Sequence, residues 1–79
     1  MHEASLARAL VHAARQTAGP ARITRLTIEV GGGHPDSGAL AANMAMLFDE
    51  TESPVFDVRV SEAVAAGTAR LVSVGVEDR

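Results

Sequence analysis

The residues with the most chemical capacity are the first three, Met1-His2-Glu3. A terminal amine on Met1, the backbone nitrogen of His2 and the His2 imidazole can close around one metal ion through small fused rings. Nitrogen donors held in a plane suit Ni(II) or Cu(II), and the same donors hold Cu(II) more tightly. The chain has no cysteine. That excludes a thiolate zinc site, a disulfide and a cysteine nucleophile.

A second group of polar residues sits in the stretch Gly31-Gly32-Gly33-His34-Pro35-Asp36-Ser37. Asp36 or Ser37 can cap the exposed amides of a following helix. His34, before proline, reads as a loop residue, or in a sharper reading as a further ligand or proton partner. The glycine run lacks the Gly-Lys-Ser/Thr ending of a phosphate loop. Serine, histidine and aspartate all occur, but in no nucleophile elbow or catalytic spacing. No enzyme is expected. His12 falls on the outer face of a helix, and Met44 on an apolar stripe, where it fills core space rather than binding copper.

These groups must be positioned by short elements. Leu6, Ala9, Leu10, Ala13 and Ala14 recur at helical spacing over residues 3–18, and Gly19-Pro20 stops that helix. Leu26, Ile28 and Val30 alternate with Arg25, Thr27 and Glu29, predicting a strand over 22–31 with one buried and one wet face. Leu40, Met44, Leu47 and Phe48 mark a second helix over about 37–50, with Asp49, Glu50 and Glu52 at its unfavourable end. Phe56, Val58 and Val60 alternate in a second strand, and Val72, Val74 and Val76 in a third. The last two strands are close enough to form an antiparallel hairpin. The expected fold is α+β: two helices on one face of a three-stranded mixed sheet, in the order α-β-α-β-β. Thr27, Glu29, Asp57, Arg59 and Ser73 occupy the other face.

Composition sets the limits. At 79 residues the chain is one small domain, spanning 1–79, and its 47% apolar fraction is rich in alanine. Its stability should amount to a few kcal/mol, which self-association as a homodimer would supplement. The net charge of −3 is spread along the chain and aromatics make up only 3%, which argues against nucleic-acid binding. No apolar run approaches the roughly 20 residues needed to cross a membrane. The start lacks the basic and apolar regions of a secretory signal, so a cytoplasmic location is expected.

Three separated segments together resemble a known family. They are Met1-His2-Glu3-Ala4-Ser5-Leu6 entering an amphipathic helix, the strand Arg25-Leu26-Thr27-Ile28-Glu29-Val30-Gly31, and the closing run from Ala69 to Asp78. In these segments and in the order of its elements the chain resembles the hydrogenase nickel-insertion accessory family, HypA/HybF. The resemblance implies a nickel-binding metallochaperone with Met1, His2 and Glu3 as its metal site. The Met1 amine, His2 amide nitrogen and His2 imidazole are the implied ligands, and the Glu3 backbone nitrogen completes a square plane. His34 and Asp36 are the implied supporting groups. Ni(II) would be a transient cargo, and the partners a maturation GTPase and a hydrogenase-type client enzyme.

The chain departs from that family in one large respect. The family inserts a Cys-x-x-Cys zinc domain between its last two strands, whereas here Glu62-Ala63-Val64-Ala65-Ala66-Gly67 fills that place, near 62–68. No zinc is therefore expected. The alternative reading is a zinc-free interaction or regulatory module that no longer delivers metal.

Overall fold

The computed structural model describes residues 3–32 and 36–77. Its elements are α1 (Glu3–Ala18), β1 (Arg22–Val30), α2 (Ser37–Ala45), β2 (Val55–Val60) and β3 (Ala69–Glu77). The strands form one mixed sheet in the order β2-β1-β3, with β2 parallel and β3 antiparallel to β1. The α+β class and the order α-β-α-β-β are those the periodicities predict.

β1 occupies the centre because it is the strand with the most apolar residues on one face. Ile23, Leu26, Ile28 and Val30 are buried there, against Leu6, Leu10 and Ala14 of α1 and Leu40 and Met44 of α2. Fully burying a side chain of this size contributes roughly 2 kcal/mol, so this one layer holds the fold together. α1 packs mainly on α2 and β3, while α2 covers β2. The helix stripe is rotated from the one the spacing suggests. Ala7 is buried with Leu6, Leu10 and Ala14, and Val11 and Ala18 pack against the core, whereas Ala9 and Ala13 are exposed. Leu6 therefore marks one edge of the buried arc, and Ala9 and Ala13 lie beyond that edge. Gly19 ends α1 with a φ of +61°, a conformation glycine adopts without steric cost, and its N–H donates to the Arg15 carbonyl at 3.0 Å.

Three expectations need correction. The first concerns the last two strands, which form no hairpin. β1 lies between β2 and β3, and the connection from 61 to 68 carries the chain across the end of β1. The Ser61 N–H donates to the Val30 carbonyl at 2.9 Å, and the Gly31 N–H to the Thr68 carbonyl at 2.9 Å. The crossing passes so close that a Cβ at Gly31 would collide with the Ala65 carbonyl. Tying both flanking strands to the most apolar strand buries more than pairing them with each other, and glycine at 31 makes room for the crossing.

The second concerns α2, which stops at Ala45 rather than near residue 50. Tighter hydrogen bonds replace the helical ones, from Leu47 N–H to Met44 O at 2.9 Å and from Phe48 N–H to Ala45 O at 3.3 Å. The turn leaves Leu47 44% exposed. It also brings Phe48 within 5.9 Å of the Phe56 ring, with the Arg15 guanidinium 5.6 Å from the Phe48 centroid. These contacts recover part of the apolar burial the helix gives up.

The third concerns β3, which does not alternate simply. Thr27 pairs with Ser73 and Ile28 with Leu71, so the register skips Val72. This bulge turns Leu71 toward the core and leaves Val72 50% exposed. On β1 the register likewise skips Thr24, which returns Ile23 to the buried face.

Candidate metal centre

The chain directions put Glu3 and Asp36 at one end of the molecule. At the opposite end, Arg15 in the last turn of α1 makes a two-pronged contact to Glu52, at 2.6 and 3.0 Å. Glu52 also accepts from the Ile23 N–H at 3.0 Å. One carboxylate therefore fastens the end of α1 to the start of β1, just ahead of β2. The start of α1, the end of β1 and the start of α2 lie at the other end. Glu3 and Asp36 thus share one pole of the fold, as do the 61–68 connection and its Glu62.

Met1, His2 and His34 lie outside the described residues. Glu3 is the first residue of α1 and is half-buried. Its N–H belongs to the opening turn of the helix, where no intrahelical acceptor exists. Asp36 is the N-cap of α2, and its Oδ1 accepts from the Ala39 N–H at 3.0 Å. That bond occupies one carboxylate oxygen; the side chain is otherwise exposed. His12 is exposed on α1 and Met44 is fully buried in the core. Among the described residues, no three His, Asp or Glu side chains gather closely enough to hold a metal ion.

The Arg15–Glu52 contact could not be found from spacing, because its partners are 37 residues apart. Glu52 reads in the sequence as one of three acids crowding a helix end. In the structure that helix has already ended, and the arginine donors hold the Glu52 carboxyl below the usual carboxylate range, helped by the Ile23 N–H. Asp49 has a separate local role. It accepts from the Thr51 hydroxyl at 2.5 Å and the Thr51 N–H at 3.0 Å, closing a tight turn.

The uncovered face of the sheet is charged and ordered. In its outermost row Glu29 stands between Arg59 on β2 and Arg70 on β3. Arg70 donates to Glu29 at 2.6 Å, and Arg59 to Asp57 at 2.7 Å. The Arg59 guanidinium, aided by Arg25, keeps the Asp57 carboxyl below its ordinary value. Exposed pairs of this kind contribute at most about 1 kcal/mol each. They fix the character of the face more than its stability.

Comparison with protein-family models, curated proteins and solved structures finds no match. The described residues contain no helix long and apolar enough to cross a membrane.

Proposed function

We propose that this protein is a nickel carrier that holds Ni(II) through Met1, His2 and Glu3 and passes it to a nickel enzyme. The single observation supporting the reading is that Glu3 lies in the first turn of α1. The Glu3 amide then lies in the helix turn whose N–H groups lack intrahelical partners, so it can give up its proton to a metal without breaking the helix. The N-terminal end of a helix carries partial positive charge and by itself opposes a cation. Two deprotonated backbone amides cancel the charge of a divalent ion, and the Glu3 carboxylate favours the same site. Because protons must leave, affinity rises with pH. By resemblance, a maturation GTPase and a hydrogenase-type client are the partners, and the location is cytoplasmic. The role is carriage rather than catalysis.

The test is calorimetric and spectroscopic titration with Ni(II) of protein whose first residue is Met1 with a free amine. Saturable 1:1 binding with a planar-nickel absorption band, lost in His2→Ala, is the expected result. Unchanged affinity in His2→Ala would refute the site. Cu(II) run beside it should bind more tightly to the same donors. A second reading, an interaction module without metal delivery, draws on the exposed apolar residues of the sheet edges, Val60 above all at 71% exposure. It becomes the better account if neither metal binds.

A further inference from the structure

The sheet has two outer strands, and they differ in their fitness to meet another strand. β3 is interrupted by its bulge at Val72, a device that twists an edge away from further pairing. β2 is regular. Its six residues, Val55 to Val60, pair with β1 without any shift. Among the described residues nothing pairs with its outer side, where alternate N–H and C=O groups of an edge strand point away from the sheet. It contains no proline and no glycine.

We propose that β2 is a self-association edge, and that two copies of this chain join antiparallel through it about Val58 into one six-stranded sheet. The sequence of the strand is complementary to itself in that register. Val58 meets Val58 of the second copy. Asp57 then stands opposite Arg59, and Arg59 opposite Asp57. Both are on the charged face, as their pairing with Thr27 and Glu29 shows. On the helix-covered face Phe56 stands opposite Val60. Directly opposed residues in an antiparallel pair have Cβ atoms about 5 Å apart, close enough for both charge pairs and apolar contact.

Two observations point to this occupant. Val60 belongs to the helix-covered face, yet 71% of it is exposed; the opposing Phe56 would cover it. The charges also select one register. Sliding the second strand by two residues sets Arg59 against Arg59 or Asp57 against Asp57, and like charges directly opposed are destabilising. Charged residues on an edge usually keep strands apart. Here they alternate in sign about a central valine, so they repel the registers two residues away, which keep the same faces together, and attract in one. A six-residue ribbon buries well under the roughly 1,600 Å² of a standard stable interface. The dimer is accordingly weak and depends on concentration. It does not depend on metal binding.

Sedimentation equilibrium of the whole chain over a concentration series tests the proposal, with circular dichroism confirming that each variant is folded. The wild-type chain should dimerise by about 0.5 mM, the strength expected of a small interface. Asp57→Arg gives a strand with two cations and Arg59→Asp one with two anions. Each alone should be monomeric over the same range, and an equimolar mixture of the two should recover the dimer. Should either charge variant fail to fold, Val60→Ser, exposed in the monomer, should weaken dimerisation at least about tenfold. A wild-type chain that stays monomeric overturns the proposal. So does a dimer that survives the single charge variants, or a mixture that fails to recover it; a Val60→Ser chain that dimerises as the wild type does so too.

Discussion

β2 and β3 flank the same strand, yet they are held in opposite ways. β2 runs parallel to β1 in unbroken register, while β3 runs antiparallel and skips a residue at Val72. The start of β2 follows the Glu52 clamp, with oxygen-to-nitrogen distances down to 2.6 Å. At the end of β3 the side-chain contact is an exposed Arg22–Glu77 pair at 3.4 Å, beside the backbone pairing with β1. The lesson is that a sheet this small can protect one edge by irregularity and leave the other regular, with charge pattern in place of backbone distortion.

The largest expected effect tests what keeps the two strands apart. Gly31→Val puts a side chain into the Ala65 carbonyl and should destabilise the fold by about 3 kcal/mol, measured by urea unfolding. A neutral result would mean that the 61–68 crossing yields easily and does not fix the order β2-β1-β3.

The next comparison sets centre against edges. Leu26→Ala, at a fully buried site, should cost about 3 kcal/mol. Val72→Ala and Val60→Ala, both at exposed positions, should each stay within about 0.5 kcal/mol in dilute protein. Equal costs at all three positions would erase the distinction between core strand and edges.

Glu52→Gln should cost about 1–2 kcal/mol, since it removes a charge-assisted bond to Arg15 and weakens the acceptor for the Ile23 N–H. Glu77→Gln, at the exposed β3 contact, should change little. The pH dependence has a definite sign. The folded-state pKa of Glu52 is lowered, so its contribution is fully present above the ordinary carboxylate range, near pH 4. It is lost as the pH falls through the lowered value. In Glu52→Gln the acid limb of the stability curve should be shallower; an identical limb would show that the clamp adds nothing.

A modest change is expected at the cap. Asp36→Ala removes the bond to the Ala39 N–H and should cost about 1 kcal/mol. Nickel titration of the same variant separates the two roles considered for Asp36. Loss of stability with unchanged affinity marks a cap, while loss of affinity marks a group that supports the metal.

Local pattern by itself determined most of the elements. The spacing of Leu6, Leu10 and Ala14 specified α1, the alternation of Leu26, Ile28 and Val30 specified the buried face of β1, and Asp36 was legible as a cap. The signals there lie within a few residues and act through the backbone or through one face. Of the candidate metal residues, the sequence supplied the donor types, and the fold added that Glu3 lies in the first turn of α1 and that Glu3 and Asp36 share a pole. The pairing of the strands, the early stop of α2, the skipped Val72 and the Arg15–Glu52 clamp were decided only in three dimensions. Each depends on groups far apart in sequence competing for the same core or the same hydrogen bond, and no local periodicity records the outcome of that competition.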